Sequence, residues 1–324
     1  MGKPKIFITR RIPDEFLKEL KEKADIAMWD KEYIPVPADK LLTELKEACG
    51  VLTMLSDKID RSVLEQAPHL KIIANLAVCY DNIDVQACRE KDIVVCHTPD
   101  VLTDTTADLA FGLLMASARR LVEAAEYIKS GQWTEWGPFL LAGKDVHHKT
   151  IGIVGMGRIG KAVAKRAFGF DMRILYYNRS RKPEVEAKLG AEYAEFDRLL
   201  QESDFVVNLV PLTKDTFHLF DARAFHLMKK DAIFINAGRG DSVDENALYE
   251  ALVNGEISGA GLDVFSGEPI KSDHPLLGLK QVVALPHIGS SSMETRSKMI
   301  QLACANLYSV LVQGGAPLTP VPAK

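Results

Sequence analysis

The chain is poor in everything that would mark a covalent or metal framework. Its five cysteines, Cys49, Cys79, Cys88, Cys96 and Cys304, are odd in number and irregular in spacing, and no C-x-x-C pair occurs. That leaves no basis for a disulfide scaffold or a thiolate zinc site and fits reduced cytosolic thiols. Cys88 and Cys96 read as core packing residues. A basic excess is also missing: 40 Lys and Arg stand against 44 Asp and Glu, a net charge of -4. This argues against a general nucleic-acid binder. No apolar run approaches the roughly 18–20 residues that cross a bilayer. The opening "MGKPKIFITRR" runs into a strand-like segment without a signal-peptide pattern, so a cytoplasmic protein is expected. Low-complexity tracts and short repeats are lacking too.

What remains is a globular composition, 47% hydrophobic and 26% charged, over 324 residues, long enough for two domains with separate cores. Short apolar strands alternate with helical segments. The first series is "KIFIT", "IAMW", "GVLTM", "LKIIANL" and "DIVVCH". A helical block at 101–130 follows, which Gly131 is placed to close. The second series is "TIGIV", "MRILYY", "DFVVNLV", "AIFINA", "SGAGLDVF" and "QVVAL", before a helix over 290–312. The pattern predicts an α/β protein with two doubly wound parallel-sheet domains. The helical block and the last helix are the expected crossings. One domain is then discontinuous, 1–100 with 289–324, and the other is 101–288. Small ligands tend to bind in a cleft between two such domains.

"GIVGMGRIG" follows a strand and opens a helix. Gly155, Gly157 and Gly160 fit G-x-G-x-x-G: a tight turn, a close approach to a pyrophosphate, and close helix–strand packing. Free amides at the helix start face the phosphates. An acid at the end of the next strand would bind a ribose 2′-hydroxyl and repel a 2′-phosphate. Asn178 stands there instead, followed by Arg179, Ser180, Arg181 and Lys182. Arginines offer bidentate donors to phosphate, and Arg158 lies in the glycine loop. NADP(H) is therefore preferred and NAD(H) remains open. The bland reading is a solvated basic loop that serves both cofactors.

Three further residues follow strands of the second series: Arg239 in "INAGRG", Glu268 in "GLDVFSGEP" and His287 in "LPHIGSS". Each alone is unremarkable, as a surface ion-pair partner, a loop acid and a structural histidine. Together they suit the reduction of a 2-keto acid, which needs a hydride, a proton and a cation for the carboxylate and carbonyl. His287 gives the proton, Glu268 favours its imidazolium, and Arg239 polarises and orients.

These motifs, in this order and spacing, resemble the D-isomer-specific 2-hydroxyacid dehydrogenase family over essentially the whole chain, including "LAVCYDNIDV". The resemblance implies a Rossmann cofactor domain and a flavodoxin-like substrate domain, with Arg239, Glu268 and His287 as the catalytic triad. It implies that Asp263 contacts the nicotinamide side. It also implies that the amides of Ala77, Val78 and Cys79 cradle the substrate carboxylate. Around the cofactor it places Thr106, Ile159, Val210, Pro211, Thr216, Ala237, Gly238 and Gly289. It further implies a homodimer joined through the cofactor domains. "VLTDTTADLAFGLLMASARR", "GKDVHHKTIGIVGMGRIG" and "MRILYYNRSRK" look most like the glyoxylate/hydroxypyruvate reductases and 2-ketogluconate reductases, which commonly favour NADPH. "QWTEW" is similar to theirs, making Trp136 a candidate to reach the partner's active site; its plainer role is dimer packing.

Two departures stand out. Val78-Cys79 replaces a usual Val-Gly, which narrows the pocket or strains the loop if a positive φ is needed; glyoxylate would suffer least. A thiol there would also make the enzyme oxidant-sensitive if exposed. Gly238 replaces a usual Ser or Ala and is expected to loosen its turn slightly. The leading expectation is an NADPH-preferring reductase of glyoxylate, hydroxypyruvate or 2-ketogluconate. A short-form D-3-phosphoglycerate dehydrogenase is the close rival, though it usually keeps an acid near position 178. A formate-dehydrogenase-like reading fits poorly, because those relatives lack the Glu of the Glu-His pair. A non-enzymatic dinucleotide-sensing binding protein would keep the triad too; the compact chain, without a recruiting tail, favours the enzyme.

Overall fold

The computed structural model describes residues 2–322. Met1, Ala323 and Lys324, the outermost positions of the expected discontinuous domain, lie outside the described residues. The chain divides into two units: residues up to Leu102 together with those from Ser291 onward, and Thr103–Ser290.

The first unit holds five strands: β1 (Lys5–Ile8), β2 (Asp25–Met28), β3 (Gly50–Thr53), β4 (Ile72–Asn75) and β5 (Val94–Cys96). Their order is β2-β1-β3-β4-β5, with every pairing parallel. This is the flavodoxin-like order. β3 and β4 are buried along their whole length, because helices cover both faces of a parallel sheet. Acids start the connecting helices: Asp60 accepts from the amides of Ser62 and Val63, and Asp84 from that of Ala87. The helix Met293–Leu311, capped by Ser292, returns to pack on β3 and β4.

The second unit holds β6 (Thr150–Val154), β7 (Arg173–Tyr177), β8 (Glu192–Tyr193), β9 (Phe205–Asn208), β10 (Ile233–Asn236), β11 (Gly259–Leu262) and β12 (Val282–Ala284). The order β12-β11-β10-β9-β6-β7-β8, again parallel, is that of a Rossmann sheet. Alternation sorts its apolar residues into two cores. Ile174, Tyr176, Val207 and Ile235 face one layer; Leu175, Val206 and Phe234 face the other.

The helical block at 101–130 is not continuous. It forms Thr103–Ala118 and Leu121–Lys129, broken at Arg120, whose φ is 52°. The amide of Lys144 takes the Ala118 carbonyl at 2.7 Å, so a distant chain segment ends the first helix. Gly131, with φ 72°, does close the second.

Candidate functional site

The glycine loop joins β6 to the helix Arg158–Phe168. Gly155 has φ 103°, and a Cβ there would lie 2.9 Å from the Leu209 carbonyl carbon. At Gly160 a Cβ would lie 2.2 Å from the Gly155 oxygen. At Gly157, the helix N-cap, a Cβ would meet nothing within 4 Å. Two glycines thus lock the turn, and the middle one leaves its backbone open beside the helix N-terminus. That combination fits a dinucleotide pyrophosphate. Arg158 is exposed, whereas the Ile159 side chain is partly buried against the core.

The basic loop after β7 is more structured than its charge suggests. The Asn178 side-chain amide donates to the Ser180 carbonyl at 2.9 Å. Arg181 donates through Nε and Nη2 to Glu186, at 3.1 and 2.7 Å. The same carboxyl accepts from the Tyr176 hydroxyl at 2.6 Å, and these bonds, Arg181's first, hold it below the usual carboxylate range. Arg179 and Ser180 are exposed, and Arg179 makes no ion pair among the described residues. Sequence reasoning grouped the two arginines. It missed Glu186, which was legible as an acid in the first turn of the following helix, Pro183–Leu189.

The remaining cofactor candidates form a set of tied loops. The Thr216 hydroxyl donates to the Pro211 carbonyl at 2.6 Å and closes the turn between them. The buried Val210 donates its amide to Asn208 Oδ1 at 3.3 Å, and Ala237 donates its own to the Asn208 carbonyl at 3.2 Å. A Cβ at Gly238 would sit 2.9 Å from the Val210 oxygen, so this glycine admits a close approach of the 208–210 segment rather than loosening the turn. Thr106 is buried, and its Cγ2 would lie 3.2 Å from a Cβ at Gly289.

Arg239, Glu268 and His287 follow β10, β11 and β12, three neighbours in the sheet. A buried network that sequence reasoning missed fixes Arg239. Asn208 donates to Asn236 Oδ1 and Ser242 Oγ, while Asn236 and Ser242 donate to the Arg239 carbonyl at 3.0 and 2.6 Å. The available signal was an Asn ending each of two buried apolar strands. The guanidinium donates from Nη1 to the Gly238 carbonyl at 2.9 Å.

Glu268 accepts the Phe265 amide at 2.9 Å through one oxygen and bonds His287 Nδ1 at 2.6 Å through the other. Burial pushes the Glu268 carboxyl up, but the bond and charge of His287, the Phe265 amide and the Arg239 charge outweigh it and hold it low. An ionised Glu268 keeps the proton on Nδ1 and turns His287 Nε2 outward; Nε2 has no partner among the described residues.

His287 has φ 53°, a left-handed conformation that costs a non-glycine residue roughly 1 kcal/mol or more and persists where its surroundings over-determine it. Asp263 supplies that constraint. Its carbonyl takes the His287 amide at 2.9 Å, and its two carboxyl oxygens take the Ile288 and Gly289 amides, each at 2.8 Å. Asp263, 2% exposed, thus holds the loop that carries His287 beside the expected nicotinamide side. Burial raises the Asp263 carboxyl above the usual range despite those amides and the His287 charge.

In the first unit, the Ala77 amide donates to the Asn75 carbonyl at 2.8 Å. That bond engages one of the three amides expected to cradle the substrate carboxylate. Cys79 is half-buried and does not take a positive φ, so its replacement of glycine strains nothing. Cys88, Cys96 and Cys304 are buried, and burial pushes each thiol up to about 12. Trp136 is 80% exposed on the second unit. Among the described residues no group of His, Cys, Asp and Glu could hold a metal, and no helix is long and apolar enough to cross a membrane.

Comparison with known proteins agrees with this geometry. The model of the D-isomer specific 2-hydroxyacid dehydrogenase NAD binding domain matches residues 111–289. The glyoxylate reductase of Pyrococcus horikoshii is 51% identical over 311 residues, 95% of this chain and 92% of the relative. A solved protein of Thermus thermophilus is 42% identical with a TM-score of 0.92, over 98% of this chain and all of that one. An NADPH-dependent glyoxylate/hydroxypyruvate reductase from Sinorhizobium meliloti, solved with NADP and malonate, is 34% identical with a TM-score of 0.86, over 99% and 97%. The chain therefore belongs to the D-isomer specific 2-hydroxyacid dehydrogenases, oxidoreductases of CH–OH donors, and uses a nicotinamide dinucleotide to reduce 2-keto acids.

Proposed function

We propose that the chain reduces a small 2-keto acid, glyoxylate first among glyoxylate, hydroxypyruvate and 2-ketogluconate, with NADPH preferred over NADH. The product is the 2-hydroxy acid, of D configuration where it is chiral. The carrying observation is the 2.6 Å bond between Glu268 and His287 at strand ends neighbouring that of Arg239. The bound nicotinamide supplies the hydride. Protonated on both ring nitrogens, His287 gives its Nε2 proton to the carbonyl oxygen while Glu268 accepts the Nδ1–H and fixes the ring, and Arg239 binds the carboxylate and polarises the carbonyl. The amides of Val78 and Cys79 hold the substrate carboxylate from the first unit, the substrate domain in this reading. Glyoxylate is favoured because it places least bulk against the Cys79 side chain, and the Pyrococcus relative carries that name.

Arg179 and Ser180 read the 2′-phosphate, with Arg181 held beside them by Glu186. Exposed Leu121, Ile128, Trp133, Trp136 and Phe139, all between positions 121 and 139, support a homodimer through the second unit, whose interface would cover them. Turnover, followed by loss of reduced-nicotinamide absorbance, tests the reading with NADPH and NADH against each keto acid. Fast NADPH-dependent reduction of glyoxylate is expected. Preference for NADH would reduce the basic loop to solvated charge, and no turnover with any keto acid would sink the enzymatic assignment.

A further inference from the structure

In a trans peptide, the carbonyl and the following N–H point in opposite directions, so anchoring one aims the other. All three carbonyls of the Ala77-Val78-Cys79 loop are anchored on the same unit. The Thr98 amide donates to Ala77 at 2.8 Å. His97 Nδ1 meets the Val78 carbonyl at 2.8 Å. The Asn75 side chain donates to the Cys79 carbonyl at 2.9 Å. These anchors aim the amides of Val78, Cys79 and Tyr80 away from the sheet end that holds them.

The anchors differ in kind. Thr98 uses backbone that any residue supplies. Asn75 is fully buried and cross-linked to Thr53 and Asn82, so changing it disturbs the core. His97 alone is a half-buried side chain acting on one carbonyl. Its own backbone is clamped by Thr319, which accepts the His97 amide at 3.1 Å and donates its hydroxyl to the His97 carbonyl at 2.6 Å. The Tyr80 ring stands edge-on to the imidazole, centroids 5.6 Å apart. The imidazole is thus fixed at both backbone and ring, and a carbonyl acceptor requires the proton on Nδ1.

We infer that His97 is a positioning residue for substrate binding: its Nδ1–H holds the Val78 carbonyl and thereby points the Cys79 amide at the keto-acid carboxylate. This rests on the reading that the loop binds that carboxylate. The residue touches no reacting atom, so its loss acts on substrate affinity rather than on the proton or hydride step.

The test compares His97→Leu, which removes the donor, with His97→Asn, whose Nδ2 stands where Nδ1 stood. Leu should raise the glyoxylate KM about tenfold, the worth of roughly one ordered hydrogen bond. Its kcat and NADPH affinity should change little, and Asn should restore KM to within about threefold. If His97→Leu does not fold, His97→Ser, too short to reach the carbonyl, replaces it. An unchanged KM in the donor-less variant, or an Asn variant as weak as Leu, overturns the inference. Cys79→Phe separates the two levels. A raised KM there with none in His97→Leu leaves the loop reading standing and removes only His97. No effect in either removes the loop reading as well.

Discussion

At the scale of single residues, the chemistry rests on how few ways each group is free to move. His287 has its Nδ1 committed to Glu268, so only Nε2 can serve a ligand. His287→Ala should lower kcat by about a thousandfold, within the usual range for a general acid, and leave NADPH affinity unchanged by fluorescence titration. A variant with near wild-type kcat would remove the proton-donor role. Glu268 gives a pH signature. Its carboxyl is held below the ordinary 4.5, so the stability gained from its ionised form is complete above that value and is lost as pH falls through the lowered one. Thermal melts of Glu268→Gln and wild type should differ at neutral pH and converge in acid; a constant gap would mean the pair contributes through packing alone. Arg179 is the arginine of the basic loop without an ion pair, and Arg179→Ala should weaken NADPH about tenfold more than NADH, one charge-assisted contact. The residue types of the site were legible in sequence, because motif and strand end coincide. Their supports were not. Glu186 and Asn208 left faint local signals, an acid in a helix's first turn and an Asn ending a buried strand, while Ser242 and the three-amide grip of Asp263 depend on contacts between segments that no local pattern announces.

At the scale of elements, the glycine loop separates folding from binding. Gly160→Ala drives a methyl group into the Gly155 oxygen and should lower stability by the cost of overpacking, about 1–3 kcal/mol, read as a lower thermal midpoint. Gly157→Ala enters open space and should melt like wild type while binding NADPH much more weakly. Equal effects of both on both measurements would show that the loop is only a structural turn. Strand and helix positions were mostly readable, since a parallel sheet buried on two faces yields unmistakable apolar runs. Among the features that escaped are a short strand and a helix break. β8 has only two residues, too short to show a period. The helix break at Arg120 has neither glycine nor proline; a carbonyl captured by Lys144, outside the helix, imposes it.

At the scale of the molecule, the parallel pairing in both sheets followed from the alternation of strand and helix, their Rossmann and flavodoxin-like types from the family resemblance, and the returning helix from its place after the last strand. Assembly was less legible, since apolar residues between 121 and 140 read equally as core. Light scattering should give twice the monomer mass. Leu121→Glu with Ile128→Glu should halve it, because burying two carboxylates in an apolar interface costs more than that contact returns. A wild-type monomer would end the dimer proposal.

The grip of Asp263 on the segment after β12 has a kinetic counterpart. Three successive amides, at His287, Ile288 and Gly289, are held by one residue, although they lie outside any strand or helix. Their deuterium uptake should resemble that of sheet amides, a loop with the exchange clock of a strand. Asp263→Asn keeps one acceptor oxygen for two amides, so exchange should accelerate at Ile288 or Gly289 while β12 stays protected. Uniform acceleration through β12 would place the anchor in the strand instead.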